Sequence, residues 1–160
     1  MTANSQRLLI GQFCDDIRRE VGNKLTFVGC YADDLLVGAL PVTLPQLAVQ
    51  MKAITPIDRR FEKLTLRACL NSTVLGEIEV PKSALCADLP PRKAMSRWAW
   101  VSSVMIIAPL HLAEECELRV EGETEEGILA GTVLRVGLVT AGAEQRTVSP
   151  RKPKKRTAKR

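Results

Sequence analysis

The chain has 160 residues and a mass of 17.6 kDa, which allows one domain of ordinary size and a short extension but excludes two full domains. Hydrophobic residues make up 46% and charged residues 26%, so the chain can bury a core and is not disordered as a whole. The net charge of +5 is unevenly distributed. Residues 1–141 hold 15 Lys and Arg against 17 Asp and Glu, so this part of the chain is slightly acidic. Residues 142–160 hold 8 Lys and Arg against 1 Glu.

Alternation of apolar and polar residues with period two dominates the chain and predicts β-strands. The first predicted strands span Leu8–Phe13, Lys24–Tyr31 and Leu47–Ile54, and Asn23-Lys24 is interpreted as the turn that starts the second. No window of about 11 residues keeps a clean helical period, so a helical bundle is excluded.

The amino-terminal third also carries a characteristic string. Residues 13–34 are FCDDIRREVGNKLTFVGCYADD, and the segments Leu44–Leu47 and Phe61–Leu66 follow. This arrangement resembles a bacterial or bacteriophage family of β-rich proteins of unknown function, whose members begin with CDDIRxExxNKxxxIGxYxxD. The resemblance covers roughly residues 7–138 and implies a bacterial or phage origin and a β-rich fold. Cys30 stands at a variable position of that pattern where we expect an aliphatic residue.

Carboxylates are dense around the first two predicted strands. Asp15 and Asp16 are predicted in the loop after the first strand, and Asp33 and Asp34 in the loop after the second. If these loops share one end of the fold, the four side chains are candidate ligands for a hard cation, as a cation-dependent hydrolase requires. The simpler interpretation, which we favour, is that Asp15 caps a one-turn helix over Asp16–Glu20 and that the other pair forms Asx turns. We predict no metal and no cofactor.

The strongest hairpin signal lies at residues 64–80. Two alternating segments flank Asn71-Ser72-Thr73, which is the predicted three-residue loop. The predicted facing pairs are Leu70 with Val74, Leu66 with Ile78, and Arg67 with Glu77. Apolar pairs on one face and a charge pair on the other agree on one register, as a hairpin requires.

A long loop and two tryptophans follow this hairpin. Residues 82–93 are predicted as a loop with room for one helical turn, and the proline-bearing stretches Leu40–Pro45 and Thr55–Arg60 are also predicted loops. Of Trp98 and Trp100 we expect one ring to point inward and one outward. The exposed ring would be an interface anchor or a stacking platform, flanked by the cations Arg92, Lys93 and Arg97. Alternatively, both rings close the core beneath the loop.

The predicted strand Trp100–Ala108 comes next, and its nearly continuous apolar run indicates a central strand covered on both sides. His111, the single histidine, is interpreted as a loop residue and not as a base oriented by Glu114 or Glu115, because no nucleophile motif accompanies it. The five cysteines form no C-x-x-C pair and are interpreted as small buried hydrophobes. No GxGxxG, P-loop, GxSxG or HExxH string is present, and we predict no enzyme.

A second hairpin is predicted from residue 116 onward. Cys116, Leu118 and Val120 alternate with charged residues, and residues 122–127 are predicted to turn the chain. The long strand that follows has a single predicted inner face, made of Ile128, Ala130, Thr132, Leu134, Val136 and Leu138.

About seven short strands that end in two hairpins predict an all-β fold, an antiparallel immunoglobulin-like β-sandwich over residues 1–141. The Cys-Trp-Cys arrangement of that fold is missing, so the prediction depends on strand count and alternation. A small open β-barrel is the alternative.

Residues 142–160 are predicted to be a disordered basic tail, because they contain two prolines and almost no apolar residue. The predicted polyanion-binding residues are Arg146, Arg151, Lys152, Lys154, Lys155, Arg156, Lys159 and Arg160. Without an aromatic residue to stack on bases, binding to nucleic acid would lack sequence preference. An acidic protein surface is an alternative partner, and a merely solubilising tail is the simplest interpretation.

The sequence shows no secretory signal, and its apolar runs are far below the ~20 residues that span a bilayer. We expect no membrane association, and either a cytoplasmic location or assembly into a phage particle. The predicted function is a non-catalytic interaction or structural module with a protein partner or a homo-oligomeric state. A bacteriophage virion structural or accessory protein and a cation-dependent hydrolase are the alternatives.

Overall fold

The computed structural model describes residues 6–85 and 97–139, and these form an almost entirely β structure. The strands are β1 (Leu8–Glu20), β2 (Lys24–Cys30), β3 (Asp34–Val37), β4 (Val42–Leu44), β5 (Leu47–Pro56), β6 (Leu64–Leu70), β7 (Thr73–Glu79), β8 (Trp98–Ile107), β9 (Leu110–Leu112), β10 (Cys116–Thr124) and β11 (Gly127–Leu138). One helical turn, α1 (Lys82–Leu85), lies in the loop that was predicted to have room for it.

Two large sheets enclose the core. The first has the order β2-β1-β5-β8 and the second β3-β11-β10-β6-β7, while β4 and β9 pair separately. The described pairs are antiparallel except β3 with β11, which is parallel. The core draws on both sheets and includes Phe13, Met51, Leu66 and Leu118. The all-β sandwich is confirmed, and the described strands do not close into a barrel.

One corner of the sandwich is closed by β1 and β11. A Cβ atom added at Gly11 would lie 2.9 Å from Val120 Cγ2, and one added at Gly131 would lie 2.5 Å from the same atom. The backbones approach this closely because neither position carries a side chain. The Gly11 amide also donates to Thr132 Oγ1 at 2.8 Å. The corner therefore joins the first and last described strands across the two sheets.

The first strand is longer than predicted. β1 continues to Glu20 and pairs with β2 along this extension, so the one-turn helix expected over Asp16–Glu20 is wrong. Pairing across the hairpin satisfies the backbone groups that a single helical turn would leave unbonded. The chain reverses at Gly22 and Asn23, whose φ angles of 81° and 58° are left-handed, and Lys24 starts the next strand as expected.

The hairpin at residues 64–80 is confirmed over most of its length. Two of the predicted facing pairs are present, Leu66 with Ile78 and Arg67 with Glu77. The charge pair is also bonded, because Arg67 Nε donates to Glu77 Oε2 at 3.1 Å. The local pattern of apolar and charged residues was therefore enough to set this register.

Near its turn the same hairpin departs from the prediction. A bulge shifts the register after Ala68, so Leu70 faces Thr73 instead of Val74. The connection is accordingly shorter, and it contains Asn71 at a φ of 50°. Val74 was predicted on the inner face but is 49% exposed.

The turn of the second hairpin also lies later than predicted. Gly122 is inside β10, and only Glu125 and Glu126 connect β10 to β11. A Cβ atom at Gly122 would lie 3.5 Å from side-chain atoms of Leu9 and Leu64. This glycine therefore occupies a packed strand position, not a turn.

The single inner face predicted for β11 is wrong. A bulge between the β10 partners Arg119 and Glu121 changes the phase of the strand. Leu129 packs against the core before the bulge, and Leu134 and Val136 are buried after it. Ile128, before the bulge, is consequently 60% exposed, whereas Leu138 is 42% exposed at the end of the strand.

The apolar strand that was predicted to be central lies at an edge. β8 pairs with β5 alone among the described strands. The nearly continuous burial belongs to β5, which lies between β1 and β8. In β8 alternate side chains are exposed, including Ile106 at 53%. The nearly continuous apolar sequence of β8 thus results from apolar side chains on its exposed outer face, and not from burial of both faces of the strand.

Three short strands were not predicted. β3, β4 and β9 each have four residues or fewer, too few for a period to be recognised. The cis peptide bonds Leu40–Pro41 and Ala108–Pro109 precede β4 and β9. Within the described residues, no helix is long and apolar enough to cross a membrane.

Candidate interaction surface

The outward face of the first sheet carries apolar side chains from three neighbouring strands. Leu8 is opposite Ile54, and Ile54 is opposite Trp100, so the three form one row across β1, β5 and β8. Leu8 and Ile10 are 46% and 50% exposed. The outer face of an antiparallel sandwich is ordinarily polar. We call this surface the outer apolar face, and its members are Leu8, Ile10, Ile54, Trp98 and Trp100.

The two tryptophans lie on the same side of β8. Side chains two residues apart on a strand share a face, so the expectation of one inward and one outward ring is wrong. Both side chains are 39% exposed. Lys52 Nζ lies 5.0 Å from the centroid of the Trp100 ring, which is a cation–π distance. The rings therefore present aromatic surface at the margin of the sheet and are not members of the buried core.

Arg97, the third predicted interface residue, immediately precedes β8 and is exposed. Its carbonyl accepts a hydrogen bond from the Ile57 amide at 3.0 Å, which fixes the start of β8 against the end of β5. Arg92 and Lys93, the other cations expected beside the tryptophans, lie outside the described residues. Among the described strands β8 is a long edge strand, and it borders the outer apolar face.

Of the four carboxylates proposed as cation ligands, only Asp33 lies in the loop expected for it, the one between β2 and β3. Asp15 and Asp16 lie within β1, whereas Asp33 precedes β3 and Asp34 begins it in the other large sheet. Within residues 6–85 and 97–139, no group of three or more His, Cys, Asp or Glu residues could hold a metal ion. The described residues thus do not gather these side chains as the cation hypothesis required.

The two carboxylates on β1 have protein partners. Asp15 Oδ1 accepts a hydrogen bond from the Tyr31 hydroxyl at 2.5 Å, and burial together with this carboxylate raises the pKa of Tyr31. Arg18 Nε lies 2.9 Å from Asp16 Oδ2, and this hydrogen bond lowers the pKa of Asp16. Gln46 Nε2 donates to the other oxygen of Asp16 at 3.2 Å. These contacts support the end of the sheet.

His111 is in a strand, not in a loop as expected. It lies on β9 opposite Thr43 of β4, and its Nδ1 is 3.0 Å from Thr43 Oγ1. Glu115, one of the two residues considered as its orienting partner, instead accepts a hydrogen bond from the Leu138 amide at 3.2 Å. The described contacts of His111 therefore connect β9 to β4.

The predicted polyanion-binding residues, from Arg146 to Arg160, all lie outside the described residues. The described residues hold 13 Lys and Arg against 16 Asp and Glu. The structured body is therefore net acidic, and positive charge is concentrated beyond it.

Sequence reasoning did not identify Leu8 and Ile10 as surface residues. The available signal was the unbroken run Leu8-Leu9-Ile10, which places apolar side chains on both faces of one strand. In the structure Leu9 is in the core and its two neighbours are exposed.

Comparisons with known proteins yield no match: no protein-family model, no curated protein and no solved structure matches this chain. The resemblance to a bacterial or bacteriophage family stays a prediction. The features that bear on function are therefore the outer apolar face and the distribution of charge.

Proposed function

We propose that the chain is a non-catalytic interaction module, which binds a second copy of itself through the outer apolar face and a polyanion through residues 146–160. The observation that carries the proposal is the outer apolar face, with large hydrophobic side chains exposed on β1 and β8 of one sheet. Exposed contiguous apolar surface of this kind is typical of protein interfaces.

A second copy is the partner that the chemistry of this face favours. Apolar surface requires no matching charge, so such a face is complementary to itself. A two-fold dimer buries the same patch on both subunits and is the commonest oligomer. Trp100 is of a residue type that is enriched among those contributing most to binding, and the nearby Lys52 already has the ring as its partner.

The polyanion that we propose is double-stranded nucleic acid. Residues 146–160 contain eight cations and no acid. Neutralising phosphates releases condensed counterions, which provides affinity without base recognition. Because the described body is net acidic, it opposes this binding, so the affinity resides in the basic segment.

Fluorescence anisotropy with a short DNA duplex tests this part of the proposal. If six to eight cations contact phosphates, the affinity of the full chain falls about 10³–10⁴-fold between ~50 and ~200 mM salt. A chain that ends at residue 141 keeps every described strand and does not bind. A full-length variant with all eight cations replaced by Gln is the matched control for length.

Two results would contradict nucleic-acid binding. One is no binding by the full chain at the lowest salt concentration, and the other is equal binding by the shortened chain. In either case an acidic protein surface becomes the partner to test. Circular dichroism of the shortened chain establishes that its fold is intact.

A further inference from the structure

Cys14 and Cys30 face each other across the β1–β2 hairpin. They are register partners, and their Sγ atoms lie 3.2 Å apart without a disulfide between them. The Tyr31 amide donates to the Phe13 carbonyl at 3.0 Å. The adjacent pair therefore occupies a non-hydrogen-bonded position of the antiparallel ladder, where facing side chains come closest and Cα atoms lie about 4.5 Å apart. That separation is within the range that a disulfide bridges.

The two thiols differ in accessibility. Cys14 is fully buried and packs with Ile17 and Ala48, whereas Cys30 is exposed. Burial, reinforced by the hydrogen bond with Cys30, raises the pKa of Cys14 to about 12. Cys14 therefore stays protonated near neutral pH, and Cys30 is the thiol that a dissolved oxidant reaches. The prediction that the cysteines are buried hydrophobes is wrong for Cys30.

Contacts on both sides hold the backbone of this pair in place. Gly29 has a φ of 61°, and a Cβ atom there would lie 1.9 Å from Asp15 Oδ2. On the other side, Tyr31 bonds to Asp15 through its hydroxyl and to Phe13 through its amide. Shortening the Sγ–Sγ distance to the ~2.05 Å of a disulfide bond therefore requires side-chain rotation and not a shift of the strands.

We propose that Cys14 and Cys30 are a modification site, a dithiol that low-molecular-weight disulfides such as oxidised glutathione convert reversibly to an intramolecular disulfide. The Cys30 thiolate attacks one sulfur of the oxidant, forms a mixed disulfide and expels one thiolate, which takes up a proton. Cys14 then attacks the Cys30 sulfur, which expels the second thiolate, and the proton of Cys14 passes to this leaving thiolate. The protein loses two electrons, and the oxidant is reduced to two thiols.

Thiol counting on the full chain in oxidised and reduced glutathione tests the proposal. Alkylation and mass spectrometry are expected to show that two of the five thiols are lost on oxidation. A crosslinked peptide joins residues 14 and 30, and a reductant restores both thiols. The Cys30→Ser variant loses no thiol pair. Cys116→Ser, which removes a half-buried thiol elsewhere, still forms the crosslink.

Three results would overturn the proposal: all thiols stay reduced, a glutathione adduct on Cys30 persists without ring closure, or the crosslink joins other cysteines. Cys30 is exposed, so Cys30→Ser is expected to fold, and circular dichroism verifies this. Cys14→Ser, at a buried position, is the second variant. It is expected to accumulate the mixed disulfide on Cys30, and its failure to do so would contradict the assignment of Cys30 as the attacking thiol.

Discussion

At Gly131 the absence of a side chain determines how closely the two sheets approach. A Cβ atom at this position would lie 2.5 Å from Val120 Cγ2 and 2.9 Å from Leu9 Cγ. Val120 and Leu9 are both buried in the core, so neither can move away without disturbing its own neighbours. Gly131 thus fits the packing of the corner because it has only a hydrogen atom in place of a side chain.

We predict that Gly131→Ala lowers the free energy of unfolding by about 1–3 kcal/mol, the usual cost of adding a methyl group to a packed core. Urea denaturation followed by circular dichroism measures the change. Gly38→Ala is the matched control, because a Cβ atom there meets nothing within 4 Å, and its effect is expected to stay within about 1 kcal/mol. Equal effects of the two substitutions would show that the close approach does not limit stability.

At the scale of elements, one buried arginine connects the start of β1 to the β10–β11 turn. The Arg7 side chain is 6% exposed, and its Nη2 lies 2.5 Å from Glu125 Oε1. Arg7 Nε donates to Thr55 Oγ1 at 3.3 Å, and the guanidinium lies 4.6 Å from the Phe61 ring centroid. The cluster therefore joins three segments that are distant in sequence, and its charge balance depends on the ionisation of Glu125.

We predict that this cluster makes stability depend on acid pH. Burial raises the pKa of Glu125, but hydrogen bonds from its own amide and from Arg7 outweigh burial and lower the pKa from 4.5 to about 2. Because the folded-state pKa is the lower one, the stabilisation is present above about 4.5 and is lost as the pH falls towards about 2. Urea denaturation at several pH values in this window measures the loss.

Two variants isolate the contribution of Glu125. Glu125→Gln removes one titrating carboxylate and is expected to reduce the dependence of stability on pH within the window, while Asp16 and Glu123, whose pKa values are also lowered, retain their share of it. Glu79→Gln changes an exposed carboxylate on β7. This variant is expected to show the same dependence of stability on pH as the unmodified chain. If Glu125→Gln retains the full slope, the ion pair with Arg7 does not contribute to stability.

The elements also show why sequence predicted some features and not others. The register of β6 and β7 was predictable because Leu66, Arg67 and their partners are close in sequence, and their pattern admits one pairing. The phase change within β11 was not, because it occurs where Gly131 and Thr132 meet β1, more than a hundred residues away along the chain. Local periodicity carries no information about such a distant contact.

The candidate interface was predictable only in part, for a similar reason. Trp98, Trp100 and Arg97 stand out by residue type, and they were identified from sequence. Leu8 joins the same surface only through the order of strands in the sheet, which places β1 two strands away from β8. The outer apolar face is therefore a product of topology and is not visible in any one segment.

For the whole molecule, we predict self-association through the outer apolar face. Light scattering coupled to size-exclusion chromatography over a range of concentrations is expected to show a dimer. Ile10→Lys adds a charge to the face, opposite Lys52 of β5, and is expected to give a monomer, because an unpaired charge in an apolar contact is costly. Ile128→Lys is the control, since Ile128 is also highly exposed but lies on β11, in the other sheet.

The dimer proposal is contradicted if the unmodified chain is a monomer at every concentration. It is also contradicted if Ile10→Lys and Ile128→Lys weaken association equally, because the effect would then reflect added charge and not a particular surface. Both substituted positions are exposed, so both variants are expected to fold.

The pairing of β3 with β11 has a consequence for synthesis on the ribosome. β3 ends at Val37, but its partner strand β11 spans Gly127–Leu138 and is synthesised much later. The hydrogen bond from the Gly11 amide likewise cannot form before Thr132 has been synthesised. Such contacts give the fold a high contact order, for which folding is slow. A nascent chain that has not reached β11 presents unpaired strands and part of the future core to the surrounding solution. We therefore expect the body to close late in synthesis, and the interval before closure is when this chain has most need of chaperones.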